Sequence, residues 1–127
     1  MINQLLEFKE ILRSRNTSKQ SNPDKQTRKL LLYLFTSTRG GFTRLRIIIN
    51  LLEKPYNTHQ LATMLDLDYK AVQHHMKVLE KNNMISKIGE KYGALFCLSN
   101  FLEFNIHALD EAIDKLDKKM NREKTYM

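Results

Sequence analysis

The chain has 127 residues, of which 42% are hydrophobic and 28% charged, with a single cysteine and a formal net charge of +7. Such a chain is long enough to bury a real core, and its composition is that of a globular protein rather than a disordered or repetitive one. Cys97 alone can form neither an internal disulfide nor a zinc site, no apolar run reaches the ~18 residues of a membrane span, and the first residues lack a signal-peptide profile, so the expectation is a reduced, cytoplasmic protein with no membrane partner.

In chain order, residues 2–13 set Ile2, Leu5, Leu6, Phe8, Ile11 and Leu12 at mostly helical spacing, and Ser14 to Ser21 reads as a polar linker. Asn22 as N-cap, Pro23 at the first helical position and Asp24 in the first turn predict a helix running to about Thr36. Arg39-Gly40-Gly41 breaks it, the paired glycines being expected to take backbone angles a helix cannot use. Phe42 to Glu53 is apolar nearly all round, so this helix belongs at the centre of the domain. Lys54-Pro55-Tyr56-Asn57 ends it.

Two short helices come next. Thr58 is the expected N-cap of the first, which runs to about Leu65. Asp66-Leu67 makes a turn, and Asp68 caps a second helix from Tyr69 to about Asn82. Met84 to Gly89 and Ala94 to Leu98 then read as strands of a hairpin around Glu90-Lys91-Tyr92-Gly93. A long helix from about Asn100 to Arg122 closes the chain. The fold class is therefore mostly α with a small β-hairpin: a winged helix-turn-helix with added N-terminal helices and a long C-terminal helix. Its expected divisions are 1–21, an N-terminal helix and linker; 22–99, the winged helix-turn-helix; and 100–127, a dimerisation helix.

A compact helix pair of this kind fits its second helix into the DNA major groove. On that helix Val72, Met76 and Leu79 form the inward stripe, which leaves Tyr69, Lys70, Gln73, His74 and Lys77 outward, with Lys81 a turn further on. Gln73 and His74 can hydrogen-bond base edges, Tyr69 can touch sugar or a thymine methyl, and lysines reach phosphates. The N-terminal half of such a helix carries most base contacts, so Tyr69, Lys70, Gln73 and His74 are the base-reading candidates. Thr58, His59, Gln60, Lys77, Lys81, Lys87, Lys91 and Tyr92 are the candidates for the DNA backbone, the last three from the hairpin. His75, beside the inward stripe, is expected to be packed. The same residues would also make an ordinary solvated helix face. Residues 1–99 hold 16 Lys/Arg against 8 Asp/Glu, and residues 100–127 hold 5 against 6, so the positive surplus falls on the part with the helix pair.

Thr58-x-x-Leu61-Ala62-x-x-Leu65-x-Leu67-x-Tyr69-x-x-Val72-x-His74-His75-Met76-x-x-Leu79, followed by Met84-Ile85, resembles the ArsR-type winged-helix transcription regulators over about residues 38–98. Thr38-Arg39-Gly40-Gly41-Phe42-Thr43-Arg44 is similar to an archaeal subset, short regulators of euryarchaeal genes that include an activator of the archaellum operon. The resemblance implies a homodimer on a repeated operator. The cysteine motif through which many relatives sense metals is missing. His107, Asp110 and Asp114 could only form a metal set across a dimer seam, and they read instead as a solvated helix face, so neither metal nor cofactor is expected.

Leu102, Ile106, Leu109, Ile113, Leu116 and Met120 alternate steps of four and three, a heptad stripe that predicts a partner helix at a dimer interface; packing onto its own domain is the other possibility. Nothing in the sequence supports an enzyme: it has no phosphate loop, no nucleophile elbow and only four glycines. The leading expectation is a sequence-specific regulator of double-stranded DNA. The basal transcription machinery is a further expected partner, and the alternatives are a protein-interaction winged helix, such as a component of the transcription apparatus, and a winged helix that binds RNA.

Overall fold

The computed structural model describes residues 2–15, 24–89 and 93–125, with side chains over 4–14, 24–89 and 93–119. The elements are α1 (Ile2–Arg15), α2 (Lys25–Leu32) continued by a π-helical turn (Tyr33–Ser37), α3 (Gly41–Glu53), α4 (Thr58–Leu65), α5 (Tyr69–Lys81), β1 (Ile85–Ile88), β2 (Leu95–Leu98), α6 (Asn100–Phe104) and α7 (Ile106–Thr125). The chain is thus mostly helical with an antiparallel two-stranded hairpin, a winged helix-turn-helix as expected. It forms two compact units, residues 42–103 and residues 1–41 with 104–127. Among the described residues no helix is long and apolar enough to cross a membrane.

In the 42–103 unit, α3 buries Leu45, Ile47, Ile48, Ile49, Leu51 and Leu52, which point to most sides of the helix. The N-cap of α4 is Asn57 and not Thr58. Asn57 accepts from the Gln60 N–H at 2.7 Å while Gln60 returns its side-chain oxygen to the Asn57 N–H at 2.9 Å, a reciprocal pair that Thr58 is one residue too late to make. Asp66 closes α4 in the left-handed conformation (φ 54°, ψ 51°), and Leu67 N–H returns to Ala62 C=O at 2.9 Å. Asp68 then caps α5 by accepting from Ala71 N–H.

Asn83, also at positive φ, turns the chain out of α5, and Met84 N–H returns to Leu79 C=O at 2.9 Å. The hairpin pairs Ile85 with Leu98, Ser86 with Cys97, Lys87 with Phe96 and Ile88 with Leu95. Tyr56 adds a third short edge, exchanging both backbone hydrogen bonds with Phe96 at 2.8 and 3.2 Å. In the sequence residues 54–57 show only as a helix stop, because a single bridging residue leaves no alternating pattern. Ser99 fastens the end of the hairpin: its hydroxyl donates to Asn83 C=O at 2.7 Å and accepts from Leu102 N–H at 3.0 Å, capping α6.

In the other unit α7 packs against α1, α2 and the π-helical turn. Leu5, Phe8 and Leu12 of α1, with Leu31, Leu34 and Phe35, are buried, as are Ile106, Ala108, Leu109, Ala112 and Ile113 of α7. Charged pairs flank this core: Lys9 with Asp114, Arg13 with Asp110 (3.8 Å) and Arg28 with Glu111 (3.3 Å).

Four further expectations change. The helix start falls at Asp24, whose carboxylate accepts from Thr27 N–H at 2.7 Å; Asn22, Pro23 and most of the 14–21 segment lie outside the described residues. Neither Gly40 nor Gly41 has a positive φ. Gly41 is required instead for a close approach, since a Cβ there would lie 2.7 Å from the Phe35 carbonyl carbon. The closing helix is not continuous: it breaks at Asn105, whose carbonyl accepts from Ala108 and Leu109 N–H and starts α7 afresh. Lastly, the heptad stripe is no open seam. Leu102, Ile106, Leu109 and Ile113 are all under 5% exposed within one chain and Leu116 is half-buried, because a narrow apolar stripe is covered equally well by the chain's own helices; the side chain of Met120 lies outside the described set.

Candidate nucleic-acid interface

α5 shows its sorting by period. Val72, Met76 and Leu79 are buried, whereas Tyr69, Lys70, Gln73, His74, Lys77, Glu80 and Lys81 are exposed. An open groove of about 480 Å³ runs between this helix, the start of α4 and the hairpin. It is lined by Asn57, Thr58 and His59, by Tyr69, Gln73, Met76, Lys77 and Glu80, and by Lys87, Gly93, Ala94 and Phe96. At 100° per residue, positions 69, 73, 76, 77 and 80 fall within one side of α5, which is why they share the groove.

The groove divides the candidates. Of the four base-reading residues it brings together Tyr69 and Gln73, while Lys70 and His74 are exposed on α5 outside it. Thr58, His59, Lys77 and Lys87 line it; Lys81 does not. Gln60 is outside it too, its side-chain oxygen occupied by the α4 capping pair. Lys91 and Tyr92 lie outside the described residues. The His59 and Tyr69 rings stand 6.1 Å apart at 51°, joining the first turns of the two helices across the groove's end.

Two arginines of α3 hold the helix pair from behind. Arg46 donates to Leu65 C=O at 3.3 Å, at the C-terminus of α4, where a cation offsets the helix dipole. Arg44, only 6% exposed, brings Nη1 to 3.3 Å from Nδ1 of His75. Burial first, then the charges of Arg44 and His74, hold His75 below its ordinary pKa.

Asn57, Arg44, Arg46, Glu80 and Phe96 were not found from the sequence as parts of this site. The Asn57-x-x-Gln60 capping pattern and the place of Glu80, seven residues past Gln73, were visible signals. The arginine partners depend on tertiary packing and were not. Charge also distributes differently from expectation. The 42–103 unit holds 8 Lys/Arg against 6 Asp/Glu, and the remaining residues 13 against 8, so most of the surplus lies outside the helix-pair unit. Asp110 and Asp114 meet Arg13 and Lys9 of α1; the Asp110 side chain is mostly covered, whereas those of Asp114 and His107 stay 40% exposed, with His107 3.3 Å from Glu111. Among the described residues no group of three or more His, Cys, Asp or Glu is placed to hold a metal ion.

This geometry is that of a winged helix-turn-helix protein, and the comparisons agree. Residues 42–87 match the family model described as bacterial regulatory protein, arsR family. That segment runs from the start of the helix-pair unit into β1. Among solved structures, reduced HlyU from Vibrio cholerae superposes with a TM-score of 0.52 at 20% identity, covering 72% of this chain and 90% of that one. A second structure of HlyU from Vibrio cholerae gives 0.50 at 16%, with 76% and 96% covered. At these identities the likeness is one of fold. No curated protein matches the sequence significantly.

Proposed function

We propose that the protein is a sequence-specific DNA-binding transcription regulator, with α5 entering the major groove and the hairpin beside it. The observation that carries this reading is the groove, which sets Tyr69 and Gln73 of α5 between the first turn of α4 at Thr58–His59 and Lys87 of the hairpin. A hydrogen-bonding stripe flanked by cations is what base reading beside a phosphate strand needs. The arsR-family match over 42–87 supports it. In this reading Gln73 and Tyr69 contact bases from the groove side and Lys70 and His74 from the outer side, while Thr58, His59, Lys77, Lys81, Lys87, Lys91 and Tyr92 serve the backbone. Gln60 acts through the α4 cap.

The regulator acts as a homodimer, which sets two α5 helices about one DNA turn, ~34 Å, apart. The Thr38–Arg44 segment supports an archaeal type, with archaellum genes among the candidate targets. Selection of binding sites from a random duplex library tests the reading, with sedimentation for the dimer. Recovery of a repeated motif is the expected result; a chain that stays monomeric and enriches no sequence sinks it.

Two observations favour a second reading, a protein-interaction winged helix such as a component of the transcription apparatus. The surplus on the 42–103 unit is small, and Ile88 and Leu95, paired across the hairpin, are 48% and 38% exposed. Absence of any mobility shift at low salt, where electrostatic binding is strongest, would select it.

A further inference from the structure

Glu80 is an acid on a surface otherwise suited to a polyanion. It is exposed, it lines the groove with Tyr69, Gln73 and Lys77, and it forms no ion pair with any described cation. Lys77 and Lys87 share the groove without engaging it. A carboxylate offers only acceptors, and so does a phosphate, so next to the DNA backbone Glu80 is repelled whatever the sequence. The duplex groups that reward a carboxylate are exocyclic amino groups in the major groove, above all cytosine N4 and then adenine N6.

Resting on the DNA-reading proposal above, we infer that Glu80 is a specificity-determining residue: it accepts a hydrogen bond from a base amino group and penalises every site that presents a carbonyl there instead. Its discrimination comes mostly from the wrong sites, where the charge is left desolvated and unpaired. The helix geometry also limits where that base lies. Glu80 is seven residues after Gln73, which at 1.5 Å per residue is about 10 Å along α5, so the two contacts fall within about three base pairs of each other. As an exposed helix residue Glu80 can be replaced without disturbing the core.

The test is site selection and titration with wild type, Glu80→Gln and Glu80→Ala, using duplexes that carry C, A, G or T at the position concerned. Wild type should prefer C, or A, at one position per half-site. Both variants should lose that preference by about tenfold while binding random duplex more tightly than wild type does. A preference matrix unchanged by Glu80→Gln would overturn the assignment, as would equal weakening on cognate and random DNA. If wild type itself selects no sequence, the underlying reading falls instead, so the two failures are distinguishable.

Discussion

Nη1 of Arg44 lies 3.3 Å from Nδ1 of His75, behind the exposed face of α5. The guanidinium always donates, so Nδ1 is the acceptor and the ring carries its proton on Nε2. His75 is therefore a packing contact between α3 and α5 and no part of the reading stripe, whereas its neighbour His74 is exposed, with the two rings 5.8 Å apart. One residue of helical rotation separates a side chain that holds the helix from one that faces outward.

That contact makes stability depend on pH. Burial is the main reason His75 resists protonation when folded, with Arg44 and His74 adding like-charge repulsion. The unfolded chain, with a histidine pKa of about 6.5, then binds the proton more readily than the folded one. The stabilising effect is fully present above that value and is lost as pH falls from there through the lower folded pKa. Urea unfolding at pH 8, 7, 6 and 5 should show declining stability, and His75→Gln should flatten the decline. An equally steep decline in the variant would show that other groups are responsible.

The capping pair at Asn57 and Gln60 predicts a local cost. Asn57→Ala removes the acceptor for Gln60 N–H and should destabilise the protein by about 1 kcal/mol. Gln60→Ala loses the return bond to the Asn57 N–H, and because the two bonds belong to one motif the double variant should cost less than the sum. Amide exchange should rise at Gln60 in Asn57→Ala and at Asn57 in Gln60→Ala. Strict additivity in the double-mutant cycle would argue that the bonds act independently.

Gly41 is a packing requirement. A Cβ there would lie 2.7 and 2.8 Å from the carbonyl carbon and oxygen of Phe35, backbone atoms that cannot swing aside. Gly41→Ala should therefore destabilise by about 1–3 kcal/mol, the cost of forced backbone shifts, although alanine is the better helix former. Thermal unfolding decides it: a raised melting temperature would mean that helix propensity outweighs the contact.

Much of this was legible in the sequence, and the boundary is physical. α3, α4 and α5 show because apolar residues recur at helical spacing, and the hairpin because two short apolar runs flank a turn. What the pattern could not say is which surface covers an apolar stripe. Leu102, Ile106, Leu109 and Ile113 carry the same heptad spacing whether a partner or the chain's own helices cover them, and here they are buried within the chain. Nor could it place pairs distant in sequence. Arg44 reaches His75 across 31 residues and Tyr56 bridges to Phe96 across 40, and neither leaves a periodic trace. The α5 face was readable as exposed, but its division into a groove side (Tyr69, Gln73, Lys77, Glu80) and an outer side (Lys70, His74, Lys81) required the hairpin to be in place.

That division separates the expected roles by salt dependence. Lys77 and Lys87 approach the groove from opposite walls, one on α5 and one on β1, and as phosphate contacts they carry no sequence information. Replacing either by alanine should weaken cognate and random duplex alike and reduce the slope of log K against log salt by about one each. Gln73, between them and Tyr69, can pair bidentately with adenine. Gln73→Ala should leave the salt slope unchanged and cost about 1–3 kcal/mol on the cognate site, with little change on random DNA. Titrations of wild type and the three variants from 50 to 200 mM salt, on both duplexes, measure all of this together. Should Gln73→Ala lower the slope, or Lys87→Ala spare random DNA, the assignment of reading to α5 and of backbone contact to the hairpin would be reversed.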